Sequence, residues 1–226
     1  MPRHFEEQLD QLKERLLTMG SLVEKAVRLS VASLEQRNET LATQVIAEIE
    51  PQINDLQLEL DDRALHLLAL QQPMAMDLRL ITSTMKINSD LERMGDLAVN
   101  IAERALSVLA KPFLKVLVDI PQMAAITEQM VKDSLDAFVR RDSDLARQVV
   151  LRDDEVDQFR DKVFGELVAA MIKVPRCIQE ALDLILVSRN LERVADHATN
   201  IAEDVIYMVL GTDIRHHAEA KANPTS

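Results

Sequence analysis

Two copies of one thirteen-residue segment carry side chains that could bind a cation, and they begin 100 positions apart in this chain of 226 residues. The copies begin at Leu91 and Leu191, and nine of their thirteen positions are identical. Four repeated positions bear carboxylate or amide oxygens, which suit hard and borderline metal ions. These candidate ligands are Glu92, Asp96, Asn100 and Glu103, and then Glu192, Asp196, Asn200 and Glu203. The repeated pattern predicts a site for a divalent or trivalent ion such as iron, manganese, magnesium or zinc.

Two further polar pairs stand at comparable places in the two halves of the chain. Glu50 and Asn54 form one pair, and Asp153 and Asp157 form the other. Side chains four residues apart lie one above the other on a helix, so two acids at that spacing repel unless a cation lies between them. A solvated helix face tolerates one such pair at small cost, and a plain acidic surface is therefore the alternative to a metal site.

The candidate ligands are expected on the outer faces of their helices. At about 100° per residue, the four positions of each repeated segment fall within a sector of roughly 80°. The apolar positions of the same helix centre on nearly the opposite side. A buried di-iron site would instead need glutamates inside the bundle and Glu-x-x-His on two helices, and the sequence contains no Glu-x-x-His.

Helices must position these groups, because the composition leaves little material for sheets and turns. The chain has 4 glycines, 7 prolines and 3% aromatic residues. Apolar residues recur at alternating three- and four-residue steps in six segments, which is typical of amphipathic helices. The apolar positions of the sixth segment lie 100 residues after those of the third. We therefore predict an all-α fold of two tandem three-helix units over residues 1–112 and 118–211, followed by a polar tail at 212–226.

Charge and cysteine content limit the partners and the compartment. A formal net charge of −12 disfavours nucleic acid and favours cations or basic protein surfaces. The single cysteine, Cys177, cannot form an internal disulfide, and no apolar run approaches the roughly 20 residues that span a bilayer. The motifs of P-loop, serine-hydrolase and zinc-protease enzymes are absent from the sequence. We expect a cytoplasmic protein without enzymatic activity, peripheral to a membrane at most.

Two motifs in succession resemble the PhoU family of phosphate-signalling regulators. They are Gln-Pro-Met-Ala-Met-Asp-Leu-Arg at residues 72–79 and Leu-Glu-Arg-Met-Gly-Asp at residues 91–96. The resemblance extends over nearly the whole chain and implies two three-helix bundles related by pseudo-twofold symmetry. It also implies surface metal clusters held by Glu/Asp-x-x-x-Asp motifs, which match Glu92/Asp96, Asp153/Asp157 and Glu192/Asp196.

The fourth pair, Glu50/Asn54, departs from the family motif because an amide replaces the second acid. Pro51 lies inside the pair, and the stretch from Leu41 to Asn54 is one residue longer than the corresponding stretch of the second half. Proline is tolerated only in the first turn of a helix, so Glu50 is expected just outside the helix.

The resemblance also implies a function. The protein would be a negative regulator of phosphate uptake and of phosphate-starvation signalling, and an adaptor between the phosphate ABC transporter and a membrane sensor histidine kinase. We expect a homodimer. A carboxylate-bridged metalloenzyme on a helical bundle and a plain helical scaffold are the alternatives.

One histidine stands next to a candidate ligand. His197 follows Asp196 in the chain but points about 100° away from it on a helix. A partly exposed packing role is therefore favoured over metal ligation. His216 and His217 lie in the tail and are assigned no role.

Overall fold

The computed structural model describes residues 2–110 and 119–214, which form six long helices. The helices are α1 (Pro2–Glu35), α2 (Glu39–Gln44), α3 (Glu50–Gln71), α4 (Ala75–Leu109), α5 (Ile120–Arg140), α6 (Ser143–Lys173) and α7 (Ile178–Leu210); α2 and α3 are two parts of one helix. The all-α class is confirmed, and none of these helices combines the length and apolarity needed to cross a membrane. Residues 111–118 of the connector, and the tail from residue 215 with His216 and His217, lie outside the described residues.

Local capping residues explain where the helices begin and end. The side chain of Asn38 accepts a hydrogen bond from the backbone N–H of Thr40 at 3.0 Å and so caps α2. Asp142 caps α6 in the same way, accepting from two backbone N–H groups of its first turn. Gly211 ends α7 in the left-handed conformation, with φ of +72°, which glycine adopts at low cost.

A π-helical turn over residues Val45–Ile49 joins α2 to α3 and accommodates the extra residue of the first half. Such a turn adds one residue to a helix while the segments on either side keep the same buried face. Ile49 and Ile53 are both buried, at no more than 1% exposure. Pro51 stands in the first turn of α3, where its missing N–H costs little. The expectation that Glu50 lies outside the helix is therefore wrong, because Glu50 is the first residue of α3.

The two halves pack together through two pairs of corresponding helices. α1, α3 and α4 pack on one another in the first half, as α5, α6 and α7 do in the second. Between the halves α4 packs on α7 and α1 packs on α5, while α3 and α6 each pack within their own half. The correspondence of α1, α3 and α4 with α5, α6 and α7 is that of the predicted internal repeat. Buried apolar residues of both halves form one continuous core.

Ion pairs at both ends of the α4–α7 contact show that these helices are antiparallel. Lys86, early in α4, donates to Asp204, late in α7, at 3.0 Å. Arg104, late in α4, lies 3.6 Å from Asp183, early in α7. The contacts Ser83–Asp204 and Asp183–Arg104 exchange when the repeat offset of 100 residues is applied: Ser83 Oγ donates to Asp204 O at 3.4 Å, and Arg104 pairs with Asp183. The pseudo-twofold axis therefore passes between α4 and α7. Both carboxylates are almost fully buried.

Candidate metal centre

The second half brings four acids from two packed helices together. Asp153 and Asp157 stand one turn apart on α6, and Glu192 and Asp196 stand one turn apart on α7. We call these four residues the second-half acidic site. The sequence predicted each pair separately, and the packing of α6 on α7 places the two pairs beside each other.

Mutual repulsion within this site changes how one carboxyl titrates. Asp196 remains exposed on the surface, but its partial burial against neighbouring groups raises its pKa to about 6, and the negative charges of Glu192, Asp153 and Asp157 contribute to the rise. The charge on a protonated His197 acts in the opposite direction. A raised carboxyl pKa marks negative charge that its surroundings do not fully compensate, and a bound cation would relieve it.

Arg160 on α6 supplies a positive charge to the same site. Its Nη1 donates to Glu192 Oε1 at 2.8 Å and lies 3.2 Å from Asp157 Oδ1. Its Nε and Nη2 both donate to Asp161 Oδ1. The guanidinium therefore contacts two of the four acids that a metal ion would use. Arg160 was missed in the sequence, although its spacing of three residues from Asp157 was an available signal.

The first half has the corresponding positions with a different charge pattern. Asn54 Nδ2 on α3 donates to Glu50 Oε1 at 2.6 Å. Burial raises the pKa of Glu92 on α4, and the charges of Asp96 and Glu50 also raise it. The packing of α3 on α4 brings these pairs near each other, as the packing of α6 on α7 does in the second half. We call Glu50, Asn54, Glu92 and Asp96 the first-half acidic site.

The four candidate ligands outside the two acidic sites differ in how exposed they are. Asn100, Glu103 and Asn200 are exposed, as expected for an outer face. Glu203, expected on the same face of α7, is instead buried at 9% exposure, and that expectation is wrong. A repeated residue therefore has different surroundings in the two halves.

The register of α6 against α7 explains the burial of Glu203. Thr199 on α7 donates to Asp153 Oδ1 on α6 at 3.3 Å, which places these two residues side by side. Glu203 is one turn further along α7 and so lies opposite the turn of α6 that precedes Asp153. Helical periodicity within α7 does not predict this burial, because the burial depends on how another helix packs against α7.

His197 connects the two halves of the molecule. Its Nδ1 lies 2.8 Å from Asp90 Oδ1 on α4, and both side chains are only 11% exposed. The packing role is thus as interpreted from the sequence, but the expected partial exposure is wrong. The reason is that α4 covers the face of α7 on which His197 lies.

The donor chemistry of both sites suits a cation, although the acids are not yet arranged around one. Among residues 2–110 and 119–214, no group of three or more His, Cys, Asp or Glu side chains is placed to hold a metal ion as it stands. Carboxylates with raised pKa values, Glu92 and Asp196, occur in both halves. In the second half, Glu192 would have to leave Arg160 to become a ligand. The residues therefore fit an ion that draws the acids together on binding, rather than a preformed cage.

Sequence comparisons agree with the duplicated architecture. The family model for the PhoU domain matches the chain twice, at residues 16–105 and 120–205. A PhoU homologue from Pseudomonas aeruginosa, named a phosphate-specific transport system accessory protein, is 42% identical over 95% of this chain and 88% of its own length. A homologue of the same name from Clostridium acetobutylicum is 37% identical over 93% of this chain and 96% of its own length.

Two solved structures have the same fold. The crystal structure of PhoU from Pseudomonas aeruginosa matches with a TM-score of 0.88 at 42% identity, covering 92% of this chain and 100% of that one. PhoU from Streptococcus pneumoniae, described as a phosphate transport system regulatory protein, matches with a TM-score of 0.83 at 27% identity and covers 92% of this chain and 98% of that one. This chain belongs to the PhoU family.

Proposed function

We propose that this protein is an accessory regulator of a phosphate transport system, restraining phosphate uptake and the phosphate-starvation response by contact rather than by chemistry. The observation that carries the proposal is the similarity over nearly the full chain to relatives named phosphate-specific transport system accessory proteins. The finer role is that of an adaptor in the cytoplasm between the phosphate ABC transporter and a membrane sensor histidine kinase. We expect the adaptor to be a homodimer, which light scattering of the purified protein tests.

The acidic character of the surface supports a contact role. The net charge is −12, and the two acidic sites lie where α3 meets α4 and α6 meets α7, with Asp96 and Asp196 exposed. Concentrated negative charge speeds encounter with a basic partner surface and selects against an acidic one. A cation held in either site would make the same surface less negative, so metal occupancy would tune the contact.

Metal binding is the second part of the proposal. The ion, whether iron, manganese, magnesium or zinc, would be held by Glu50, Glu92 and Asp96 in the first half and by Asp153, Asp157, Glu192 and Asp196 in the second. A bound metal supplies positive charge that cancels the repulsion among these carboxylates. The protein's own part is to hold the paired acids one turn apart on rigid helices.

Replacing both α7 acids, Glu192→Ala and Asp196→Ala, tests this part directly. Elemental analysis after dialysis against one metal should show loss of the ion from the second half, with helicity unchanged by circular dichroism. The matched change in α4, Glu92→Ala with Asp96→Ala, should remove the ion of the first half only. An unchanged metal content in both variants would contradict the proposal.

One observation favours the alternative function, a carboxylate-bridged metalloenzyme. A carboxyl with a pKa of about 6, such as that of Asp196, exchanges protons readily near neutral pH. The same group is exposed on the helix surface, which is unlike the enclosed setting of a bundle-core carboxylate site. Oxygen consumption by iron-loaded protein with a reductant distinguishes the two functions, because an adaptor gives no turnover.

Deletion of the gene tests the regulatory function. Without the protein, phosphate-starvation genes should be expressed even in phosphate-rich medium, and the intact gene should restore repression. A variant with Glu92→Lys and Glu192→Lys should fold but fail to restore repression, because it loses both the cations and the charge match to a partner. The control changes Glu6→Lys and Glu14→Lys alter the net charge equally at exposed sites on α1 and should restore it. Silent starvation genes in the deletion strain would overturn the proposal.

A further inference from the structure

The N-terminal half of α7 has an exposed apolar strip that the core does not use. Ile178, Leu182 and Leu186 follow one another at four-residue steps and are 44%, 43% and 39% exposed. At about 100° per residue they fall within a sector of roughly 80°, so they form one straight row. The row lies on the face of α7 that neither α4 nor α6 covers.

The adjoining face of α6 widens the strip into a groove. Phe164 and Ile172 on α6 are 52% and 77% exposed. A cleft of about 330 Å³ opens between α6 and α7, and its lining includes Phe164, Ile185 and Arg189. That volume accommodates large apolar side chains projecting from a partner. We call the surface formed by Phe164, Ile172, Ile178, Leu182 and Leu186 the α7 strip.

Basic residues border the α7 strip, which is unusual in a chain of net charge −12. Lys173, Arg176 and Arg189 are exposed at its border. In the described part of the chain none of the three side chains takes part in a hydrogen bond or ion pair, in contrast to that of Arg160, which is held by three acids. The cleft is also lined by Asp161, whose charge is paired with Arg160 at 3.0 Å. Lys173, Arg176 and Arg189 therefore supply the unpaired charge beside the apolar area, and that charge is positive.

The first half shows that the fold does not require an apolar surface here. The positions on α4 that correspond to Leu182 and Leu186 are Thr82 and Lys86. The Lys86 ammonium is 3.0 Å from Asp204 and 5.4 Å from the centre of the Tyr207 ring, so this surface is polar and already engaged. Of the three row positions only the first has an exposed apolar counterpart on α4, Leu78 at 41%, so a continuous apolar row at this place occurs in the second half alone.

We propose that the α7 strip is a docking site for an amphipathic helix with acidic residues along its edges. A row of apolar side chains at four-residue steps between two helices matches the apolar face of a third helix. From Ile178 to Arg189 the row measures about 16 Å, or three helical turns. The basic residues at the border of the strip favour a partner helix that has acidic residues along its edges. This inference rests on the proposed function, which requires contact with a protein partner, and it assigns one such contact to the α7 strip.

Charge argues against other occupants of the strip. A second copy docking face to face through the same strip would bring Lys173, Arg176 and Arg189 against their own counterparts, and like charges at an interface are repulsive. An anionic membrane would attract these three residues but repel the chain as a whole, whose net charge is −12.

The test uses a designed probe with the full-length protein. Two stapled peptides of fourteen residues carry the same leucine face, and one has glutamates and the other lysines on both edges. Fluorescence anisotropy should show that the glutamate peptide binds at least tenfold more tightly. The preference should reverse when Lys173, Arg176 and Arg189 are all replaced by Glu. Leu182→Asp should abolish binding, whereas Leu58→Asp, at a still more exposed leucine on α3, should not.

Three outcomes would overturn the proposal: equal affinity for the two peptides, no binding of either, or loss of binding with Leu58→Asp. Binding to phosphatidylglycerol vesicles that Leu182→Asp abolishes would assign the strip to a membrane instead. Concentration-dependent dimerisation that Leu182→Asp abolishes would assign it to a second copy. These measurements use purified protein, so their failure is distinct from failure of the gene-deletion experiment.

Discussion

The two acidic sites hold the same negative charge by different means. The second-half site has four acids, and Arg160 lies among them and pairs with Glu192. In the first half the position of Asp157 is taken by Asn54, and the position of Arg160 by Gln57. An acid and an arginine have thus been exchanged together for two neutral amides, so both sites keep the same net charge.

The comparison teaches that a repeated motif can keep its charge while changing its contacts. In the second half a guanidinium bridges α6 and α7. In the first half the Asn54 side chain donates to Glu50 of its own helix, and a different amide, Asn88 of α4, reaches α3 by donating to Gln57 O at 3.1 Å. The two acidic sites are therefore equivalent in net charge but not in the side chains that join α3 to α4 and α6 to α7.

The largest expected difference between the halves is in the loss of stability when one residue is deleted from the middle helix of each half, which is α2–α3 in the first and α6 in the second. Removing Ala47, which is exposed in the π-helical turn, should leave a regular α-helix with its buried face intact and cost only ~1–2 kcal/mol. Removing Asp154 from α6 should rotate the flanking segments by about 100° relative to each other. Val163 and Leu167 would then leave the core at a cost of more than about 4 kcal/mol.

Urea denaturation followed by circular dichroism measures both deletion variants. Both deleted residues are exposed, so loss of their own side chains does not account for a difference. Equal destabilisation would show that the π-turn is not what absorbs the extra residue of the first half.

The next largest loss of stability is expected when the buried acid of either α4–α7 ion pair is removed. Asp204→Ala and Asp183→Ala each leave a cation, Lys86 or Arg104, without its buried carboxylate. Each cation is itself more than 40% exposed and can turn to water, so we expect a loss of about 1–3 kcal/mol in the free energy of unfolding rather than more. The effects should add in the double variant because the pairs lie at opposite ends of α4.

Thermal and urea unfolding of the two single variants and the double variant provide the check. A double variant no less stable than either single one would mean that the two ends of the α4–α7 contact are not independent. Glu155→Ala, at an exposed position on α6, is the control and should change stability little.

A smaller effect is expected from converting one acidic site into the other. Arg160→Gln should destabilise the metal-free protein by ~1 kcal/mol, because it leaves four acids without the guanidinium. Adding Asp157→Asn reproduces the first-half pattern and should recover most of the loss. Differential scanning calorimetry in the presence of a chelator measures both variants. No recovery in the double variant would show that the two charge patterns are not equivalent.

The smallest effect is a pH dependence that belongs to Asp196. Its pKa is about 6 in the folded protein, against 3.8 for an unperturbed aspartate, so between these values the folded state binds a proton that the unfolded state has lost. The contribution of Asp196 to stability should therefore become more favourable as the pH falls from 7.5 towards 4. Asp196→Asn should remove this contribution, so that the variant is more stable than the parent at pH 7.5 and the difference shrinks towards pH 4.

Melting temperatures across this pH range, measured without metal, test the assignment. Identical profiles for Asp196→Asn and the parent protein would contradict the assignment.

Periodicity and duplication in the sequence were sufficient for several features. The six helices and the separate acidic pairs follow from local spacing, because a helix fixes which of its own residues share a face. The resemblance to the PhoU family also followed from short motifs that stand unbroken in the chain. These are properties of one helix at a time.

Other features required the tertiary structure, because they depend on the register between helices. The sequence alone did not show that Arg160 reaches Glu192, that His197 meets Asp90, or that Glu203 is buried. Nor did one extra residue before Asn54 reveal that a π-helical turn would absorb it. Periodicity assigns a side chain to a face, but what lies opposite that face is set by another part of the chain, and only packing brings the two together.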